Sequence, residues 1–554
     1  MKNDGICFIL FLSLLLSSAI LSASVPSQEK PLTMAEKSEF TATSRYADVM
    51  KFIQKLQRLT PLIRLETLGV STEGREIPLC VIGNPLPARP SDLLRDERLV
   101  VYIQANIHAG EVEGKEASLM LARDILLQPN PPYLDEMIIL IAPIFNADGN
   151  EKISTENRQN QEGPKKGVGI RYNGQNLDLN RDGIKMESPE IQGLVSNVLN
   201  RWDPALTVDC HTTNGSYHKE PVTYIWPLNP NGDTAIINYM REKMLPSVNS
   251  HLHETYQTLS IPYGNFMDFR NPEKGWQPAG PQARYITNYI GLRNRMAILL
   301  ENYAYADYKT RVYGNYHFLL SVLDYCRTHK KAIRNLVQEA DQKAVRKGQN
   351  PSEYDTIGLT YELKPLKDPV TIQGWEMEVI PQKDRSWPRI IKKEKERTYV
   401  LPFYCDFTPK RTIPFPHAYI LSVSDPVIVD KLQRHGILVE ELLSPVTLEV
   451  EAYLVNEIKG EERIFQGHRI NSVTGEYKVE TREFPAGTIF VTTAQPLGYL
   501  AAYLLEAECD DGLLAWNFFD RYLVPQWGRG SQVYPVFRLL KAKNLAKRVL
   551  RSDD

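Results

Sequence analysis

Two residue types that bind metal ions stand together after a run of apolar residues. His108 and Glu111 closely follow the apolar segment 101–105. Such a run predicts a buried β-strand, and ligands of open α/β sheets gather at the carboxyl ends of strands. A catalytic zinc ion takes three protein ligands, often histidine and glutamate, and keeps a fourth position open for water. The pattern therefore predicts a metal site at the end of this strand.

His211 is the candidate for the third ligand. It follows a second predicted strand, residues 206–210. A single histidine is more often structural than metal-binding, but two ligand-bearing strand ends in one sheet favour a shared ion. His218, seven residues further along, is an alternative ligand that the sequence leaves open. The His-Glu-x-x-His motif, which places two histidines on one helix face to bind zinc, does not occur.

A polar segment between these two strands carries groups that could bind a substrate. Arg171 and Arg181 are ten residues apart, and Asn180 precedes the second arginine. Guanidinium groups bind carboxylates and can stabilise a developing oxyanion. The alternative interpretation is a solvated polar loop, which is the usual structure of such sequence.

The elements that must position these residues alternate between strands and helices. Apolar runs at 100–105 and 137–144 predict strands buried on both faces, with a helix between them at 114–127. Further strands are predicted at 205–210 and 297–300. This alternation predicts an α/β fold with a mixed, largely parallel central sheet flanked by helices.

The chain is long enough for more than one domain. We predict a catalytic domain at residues 40–338, which ends with a long helix at 313–337. The charged, polar stretch at 339–353 predicts a linker, and residues 355–554 follow as a second domain.

The predicted second domain has a different pattern of apolar and polar residues. A small β-α-β unit surrounds a predicted helix at 426–435, and apolar and polar residues alternate at 447–455 and 477–491. Such alternation is typical of half-buried antiparallel strands. We predict a C-terminal α+β accessory domain without an evident site of its own.

The first residues follow the pattern of an export signal. Lys2 precedes an apolar run at 6–21, and small residues follow at 22–24. This order is typical of a secretory signal peptide, which we place at residues 1–23. The run is short for a transmembrane helix. We expect a secreted or periplasmic protein, with membrane contact only if the segment is retained as an anchor.

Charge and cysteine content exclude some classes of protein. Lys and Arg (65) nearly balance Asp and Glu (67), so no global field favours nucleic acid, and no nucleic-acid partner is expected. The five cysteines beyond the signal segment are scattered and odd in number, which indicates neither a disulfide framework nor a Cys-x-x-Cys zinc site. The oligomeric state is left open by the sequence.

Taken in order, the motifs resemble those of the zinc carboxypeptidases related to carboxypeptidases A, B and E. The shared features run through roughly residues 40–335: His-x-x-Glu, Asn-x-Asp-Gly, Arg-x-Asn-x-Gln-x-x-Asp-Leu-Asn-Arg, a strand ending in His and a later strand ending in Glu. The resemblance implies that family's fold, one zinc ion (Zn2+) and hydrolysis of C-terminal peptide bonds by zinc-activated water.

The resemblance also implies the metal-binding residues. His108, Glu111 and His211 match the zinc ligands. Asp178 matches the aspartate that orients the first histidine, a contact that fixes the imidazole tautomer and raises its basicity.

Further matches concern the substrate. Arg171 matches the arginine that polarises the scissile carbonyl group, and Arg158 is a weaker rival for that role. Asn180 and Arg181 match the pair that binds the substrate's terminal carboxylate. Such a pair argues for an exopeptidase, because an endopeptidase substrate presents no carboxylate there.

Glu301 is the residue that the resemblance implies as general base. It follows the predicted strand 297–300, and a carboxylate at the end of an apolar strand has no evident structural purpose. Beside zinc it could take a proton from water and return it to the leaving amine. The structural alternative is a salt bridge to Arg293 or Arg295.

The match is incomplete in the substrate pocket. His211 is followed by two threonines rather than the more common serine. The family's substrate-capping tyrosine has no secure counterpart, because Tyr285 and Tyr289 lie closer to Glu301 than the family spacing requires. Ile286 is a weak indication of a preference for apolar side chains.

We therefore predict an exported zinc metallocarboxypeptidase, a hydrolase with a glutamate general base that acts on peptide or protein substrates with a free C-terminus. Two alternatives fit the same residues. One is a hydrolase of cell-wall peptides or other amides on the same fold, which only a substrate panel separates. The other is a non-catalytic peptide-binding protein, which degenerate ligands or a missing base would favour.

Overall fold

A computed structural model describes residues 30–382, 388–523 and 532–550 of the chain. The predicted signal peptide, residues 1–23, lies outside these ranges. Within them, no helix has the length and apolar character needed to cross a membrane.

The amino-terminal part of the chain alternates strands and helices, as its apolar pattern predicts. Its strands are β1 (Ile63–Val70), β2 (Glu76–Ile82), β3 (Leu99–Ala105), β4 (Met137–Ala142), β5 (Leu206–Thr213), β6 (Val222–Ile225), β7 (Ser260–Pro262), β8 (Asn265–Phe266), β9 (Trp276–Gln277) and β10 (Met296–Tyr303). Its helices are α1 (Met34–Lys37), α2 (Tyr46–Leu59), α3 (Glu113–Leu126), α4 (Ala147–Glu151), α5 (Pro189–Leu194), α6 (Thr234–Tyr239), α7 (Leu245–Tyr256), α8 (Ile286–Leu292) and α9 (Tyr308–Gln349).

Eight of these strands form one mixed sheet in the order β1-β2-β4-β3-β5-β10-β6-β7. The central strands β4, β3, β5 and β10 are parallel, and β1, β2 and β6 join them in antiparallel fashion. Every residue of β3 and β4 is buried, which explains their continuous apolar runs, because both faces of a parallel sheet are covered by helices. The predicted largely parallel sheet flanked by helices is confirmed.

The register of the parallel strands determines which residues meet at the carboxyl edge. Ala105 at the end of β3 pairs with Cys210 of β5, and His211 of β5 pairs with Glu301 of β10. Three strand ends that are far apart in sequence therefore deliver their side chains to one place.

The carboxyl-terminal part is rich in strands. They are β11 (Thr356–Pro365), β12 (Val370–Ile380), β13 (Arg389–Leu401), β14 (Tyr404–Pro414), β15 (Ala418–Leu421), β16 (Glu440–Leu442), β17 (Val446–Gly460), β18 (Asn471–Phe484), β19 (Ile489–Thr492), β20 (Gln532–Val533), β21 (Val536–Leu539) and β22 (Lys547–Val549). The helices of this part are α10 (Pro426–Arg434), α11 (Gly498–Leu505) and α12 (Asp520–Leu523).

A second sheet, with the order β18-β17-β21-β15-β19-β16-β22, organises this C-terminal domain. The predicted C-terminal domain with helices and antiparallel strands is thus present. The alternating segment 477–491 contains the end of β18 and most of β19. The chain turns between them at Gly487, whose φ of 82° lies in the left-handed region that glycine adopts without strain.

The linker predicted at 339–353 is wrong for most of its length, because α9 continues to Gln349. Ala340 and Ala344, four residues apart and therefore on one helix face, are both buried. One hydrophobic cluster joins side chains of the first sheet, such as Leu140, to side chains of the second domain, such as Trp516. The two parts share a core, and the exact domain boundaries remain a prediction.

Candidate metal centre and substrate pocket

The three predicted ligands converge at the carboxyl edge of the first sheet. His108 and Glu111 lie in the turn between β3 and α3, and His211 lies in β5. The Nδ1 atom of His108 is 3.1 Å from Glu111 Oε1 and 3.2 Å from His211 Nδ1. His211 Nδ1 is 3.0 Å from Glu111 Oε2, and all three residues are buried. Donor atoms this close are best satisfied by a cation between them, and two histidines with one glutamate are a zinc donor set.

The turn that carries the first two ligands has a defined local structure. Asn106 adopts a left-handed φ of 66°, and its side-chain Nδ2 donates to the carbonyl oxygens of Ala109 and Glu111, each at 3.1 Å. Gly114 in the first turn of α3 allows the helix to approach β5, since a Cβ there would lie 2.4 Å from the Cβ of Cys210. The sequence around the ligands thus fixes their backbone.

Each ligand histidine has a carboxylate behind it. His108 Nε2 is 2.9 Å from Asp178 Oδ1, as the sequence predicts, and His211 Nε2 is 2.9 Å from Asp209 Oδ2. Gln104 of β3 donates to the other oxygen of Asp209 at 3.1 Å. Carboxylates in this position set the tautomer and orientation of metal-binding imidazoles. Sequence reasoning missed Asp209, although its position two residues before His211 on a strand was an available signal.

Glu301 stands at the wall of a cavity of about 310 Å³ next to these ligands. Its carboxyl oxygen Oε2 is buried and has no hydrogen-bond partner among the described residues. Burial raises the pKa of Glu301 to about 8; the charge of Glu111 adds to the rise, and His211 opposes it. The cavity lining comprises His108, Glu111, Arg158, Arg171, Asn180, Arg181, Thr212, Thr213, Asn214, Tyr263, Asn265, Ala279, Tyr285, Leu299 and Glu301.

Two arginines approach the metal centre from different sides. Arg171 donates from Nε to Asp178 Oδ2 at 2.8 Å, and its Nη1 is 3.8 Å from Glu111 Oε1. Arg158 donates to Glu111 Oε1 at 3.0 Å and to the carbonyl oxygen of Thr212 at 2.9 Å. Arg158 thus forms hydrogen bonds to a candidate ligand and to the backbone, whereas within the described residues the terminal nitrogens of Arg171 form no hydrogen bond and only the longer ion pair with Glu111.

Asn180 and Arg181 lie at the other end of the same polar segment. Asn180 Oδ1 accepts a hydrogen bond from the backbone N–H of Ile286 at 3.0 Å. Arg181 donates to the carbonyl oxygen of Asn180 at 2.7 Å, and its guanidinium group lies over the ring of Tyr285, 4.4 Å from the ring centre. Among the described residues, Asp178 is the acid closest to Arg181, with Oδ2 4.0 Å from Arg181 Nη1.

The Asp178 carboxyl connects the two arginines and the first histidine. Burial opposes its ionisation, but His108, Arg181 and Arg171 together outweigh burial and hold the pKa of Asp178 well below its usual range. The residue is therefore an anion that organises three cationic or hydrogen-bonding neighbours.

The residues considered as alternatives lie away from the metal centre. His218 packs against Tyr303, with ring centres 4.0 Å apart, and its Nδ1 is 3.5 Å from Glu220 rather than near the candidate ligands. The alternative of His218 as the third ligand is therefore wrong. Instead of pairing with Glu301, Arg293 donates to the carbonyl oxygen of His435, and Arg295 pairs with Asp203 and Asp341.

Only one of the two tyrosines that the sequence left unassigned lies at the cavity. Tyr285 lines the cavity, whereas Tyr289 is buried and its hydroxyl lies 2.8 Å from His435 Nδ1. Ile286 is buried in the core and does not belong to the cavity lining. Its use as an indication of substrate preference is therefore not supported. Tyr263 and Asn265 reach the cavity from the loop around β7 and β8, and sequence reasoning had no signal for them.

Comparison with known proteins identifies the class. A sequence model of the zinc carboxypeptidase family matches residues 49–325, half of the chain. The chain therefore belongs to the zinc carboxypeptidase family. It is a metallocarboxypeptidase, a hydrolase, and this confirms the family and the class of enzyme that the sequence predicts.

The chain is also similar to curated carboxypeptidases. The chain is 22% identical to carboxypeptidase 2 of Trichophyton rubrum over 510 residues, which cover 88% of this chain and 85% of that protein. It is 24% identical to carboxypeptidase 2 of Trichophyton equinum over 494 residues, covering 85% and 81%. Carboxypeptidase A of Helicoverpa armigera is similar in structure with a TM-score of 0.39 and 16% identity, covering 53% of this chain and 75% of that chain.

Proposed function

We propose that the chain is an exported carboxypeptidase that uses Glu301 as general base beside one zinc ion held by His108, Glu111 and His211. The observation that carries the proposal is the Glu301 carboxylate. It is buried, it is paired in register with His211, and its Oε2 atom has no hydrogen-bond partner among the described residues. An unpartnered buried carboxylate is costly and is retained where it has a chemical purpose.

The convergent donor set supports zinc as the metal. A zinc ion bound by these three residues would act as a Lewis acid and make water a nucleophile at neutral pH. Glu301 would accept the proton of that water at Oε2 and return it to the amine that leaves. Burial raises the pKa of Glu301 to about 8, and a zinc ion nearby would oppose this rise and favour the ionised form that accepts a proton.

Arg171 is proposed to stabilise the negative charge that develops on the scissile carbonyl oxygen. Its Nε bond to Asp178 fixes the side chain, and its terminal nitrogens stay available at the cavity. Hydrogen-bond donors that are already oriented stabilise such charge without reorganisation. The two bonds of Arg158 to Glu111 and Thr212 support Arg171 over Arg158 for this role.

Arg181 and Asn180 are proposed to bind the terminal carboxylate of the substrate. The Arg181 side chain is about one-fifth exposed, and the closest acid among the described residues, Asp178, is 4.0 Å away, so the charge of Arg181 is only partly compensated. A substrate carboxylate would supply the missing anion. This assignment favours peptides and proteins with a free C-terminus over internal peptide bonds.

Export is proposed from residues 1–23 alone, so a secreted or periplasmic location is part of the proposal. Determining the N-terminal sequence of the protein purified from outside the cytoplasm of its host cell tests this part. A mature chain that starts near residue 24 is expected, and a protein retained with Met1 intact would contradict it.

The enzymatic proposal is tested with a mixed peptide library and mass spectrometry. Release of single C-terminal residues, abolished by a zinc chelator and restored by added zinc, is the expected result. Matched peptides with amidated C-termini are expected to be poor substrates. Cleavage restricted to cell-wall peptides or to other amides would favour the alternative hydrolase, and binding without cleavage would favour a peptide-binding protein.

A further inference from the structure

The segment that carries Tyr285 forms one wall of the cavity. Residues 279–286 lead into α8, and both Ala279 and Tyr285 line the cavity. The Tyr285 ring lies under the guanidinium group of Arg181. The segment also meets the polar corner through its backbone, since Gly183 N–H donates to the carbonyl oxygen of Arg284 at 3.2 Å. The position of this segment therefore determines the shape of the proposed carboxylate site.

The C-terminal domain binds this segment through a buried acid. Asp511 accepts a hydrogen bond from the backbone N–H of Arg284 at 2.5 Å, and its other oxygen is 2.8 Å from Arg284 Nη2. Trp516 Nε1 donates to the same oxygen at 2.9 Å, and the Arg284 guanidinium group lies 5.0 Å from the centre of the Trp516 ring. Backbone and side chain of one residue are thus held by one carboxylate.

The neighbouring acid makes a second contact with the same segment. Gln282 Nε2 donates to Asp510 Oδ2 at 3.3 Å, and Tyr503 OH donates to Asp510 Oδ1 at 3.0 Å. Two consecutive acids of the C-terminal domain therefore hold residues 282 and 284, directly before Tyr285.

A loop of the C-terminal domain reaches the other side of the corner. The connection between β17 and β18 carries Gln466, whose Oε1 accepts from the backbone N–H of Asp178 at 2.8 Å. Phe465 of the same loop lies against Arg284, with the guanidinium group 5.4 Å from the ring centre. Both parts of the chain that frame Arg181 are thus in contact with the second domain.

The position of Asp511 is costly, which argues that it has a purpose. The residue is fully buried, and burial raises its pKa to about 7 although Arg284 opposes the rise. A buried ion pair is weak evidence for stability, because desolvation offsets much of the attraction. Such pairs are better explained by the geometry they impose.

We propose that the C-terminal domain is part of the substrate-binding apparatus, in which Asp511 and Gln466 are positioning residues for the carboxylate-binding corner. Asp511 fixes the backbone at Arg284 so that Tyr285 lies against Arg181. Gln466 fixes the peptide of Asp178, from which the turn to Arg181 begins. The inference rests on the proposed role of Arg181 and extends it, because it assigns a function to a domain that has no evident site of its own.

The test uses the full-length enzyme with the substitutions Asp511→Asn, Asp511→Ala and Gln466→Ala. Arg434→Ala is the matched control, because Arg434 also contacts the other domain, through Gln192 at 3.4 Å, and neither residue lines the cavity. Asp511→Asn keeps the size and one acceptor, so it is informative even if Asp511→Ala does not fold. Hydrogen–deuterium exchange of residues 279–286, zinc content, KM and kcat are measured for each protein.

We expect faster exchange at 279–286 in both Asp511 variants, with zinc content unchanged. KM for peptides with a free C-terminus is expected to rise about tenfold in Asp511→Ala and less in Asp511→Asn. A tenfold rise is the size expected if Arg181, no longer held in place, loses one charge-assisted hydrogen bond to the substrate carboxylate. The expected kcat stays within about twofold of wild type, because neither the ligands nor Glu301 are touched. Gln466→Ala is expected to raise KM in the same way. Arg434→Ala is expected to change neither the exchange at 279–286 nor KM.

Two results would overturn the inference. Unchanged exchange at 279–286 in the Asp511 variants would show that the acid does not hold the segment, whatever the substrate is. Faster exchange with an unchanged KM would show that the segment does not shape the substrate site. The proposed function is judged separately, by whether wild-type enzyme discriminates between free and amidated C-termini.

Discussion

Glu301 and His211 occupy paired positions on the parallel strands β10 and β5. Adjacent strands are about 4.8 Å apart, so the proposed base starts one strand spacing from a candidate metal ligand. This relationship is built into the sheet and does not depend on a mobile loop. Rigid strands hold a catalytic constellation more precisely than loops do.

Replacing the proposed base should separate catalysis from metal binding. Glu301→Gln is expected to lower kcat by about 10²–10⁴-fold, the usual contribution of a general base, while the zinc content stays at the wild-type level. Glu111→Gln is the matched control and is expected to lose the metal as well. Near-normal turnover by Glu301→Gln, measured on the same peptide with zinc content determined in parallel, would refute the assignment.

Removing the guanidinium group of Arg181 should affect recognition of the substrate's end. Arg181→Ala is expected to raise KM by about 10- to 100-fold for peptides with a free C-terminus, because a charge-assisted bond to the carboxylate is lost. Amidated peptides cannot make that bond. Their cleavage is already slow in the wild type, and Arg181→Ala should change it little. Equal losses on both substrates would argue against a carboxylate-binding role.

The contact behind the second histidine should contribute to metal affinity. Asp209→Asn is expected to weaken zinc binding by about 10- to 100-fold, since partners of ligand histidines orient the imidazole and raise its basicity. Competition with a chromogenic chelator measures this affinity. Asp178→Asn tests the equivalent position behind His108. Wild-type zinc affinity in Asp209→Asn would mean that its 2.9 Å contact with His211 is without consequence.

The histidine between the two domains should make stability depend on pH. Burial, with Lys431 and Arg293 nearby, lowers the pKa of His435 to about 3. Its Nε2 donates to the carbonyl oxygen of Ile184 at 3.0 Å, and Tyr289 OH bonds to its Nδ1. The unfolded chain takes up a proton at this position below about pH 6.5, and the folded chain does so only near pH 3.

Folding therefore excludes a proton between these two pH values, and stability falls as the pH is lowered through this window. The contribution is about 1.4 kcal/mol per pH unit. Urea unfolding of wild type and of His435→Asn measures this contribution. The curves are recorded between about pH 4 and pH 8, the range in which the unfolding free energy should begin to depend on pH. The variant is less stable at neutral pH, but its unfolding free energy should fall less steeply with acid. Parallel curves for the two proteins would contradict the prediction.

The sequence predicts those features that depend on short-range pattern. His108, Glu111 and His211 were predicted because they follow two predicted strands, and strand order then brings the carboxyl ends of these strands together. The α/β architecture was predicted for the same reason. Glu301 needed the resemblance as well, because an isolated glutamate after a strand carries no spacing motif.

Contacts between distant parts of the chain were not predictable in this way. The bond of Gln466 to Asp178 spans 288 positions and leaves no periodicity in the sequence. The paired strands β11–β14 and β12–β13 were also missed. Residues 394–398 of β13 are all exposed, so the pattern of a half-buried strand is absent. The linker prediction failed because polar residues on the exposed face of α9 concealed the buried Ala340 and Ala344.

The common core of the two domains has a consequence for engineering the enzyme. The family match ends at residue 325, in the middle of α9, and the apolar side chains around Tyr289 are covered by the second domain. Shortening the gene to the matched half would cut a helix and expose that apolar face to water. The matched half is consequently not a minimal enzyme, and activity should be engineered by point substitution in the whole chain rather than by trimming it.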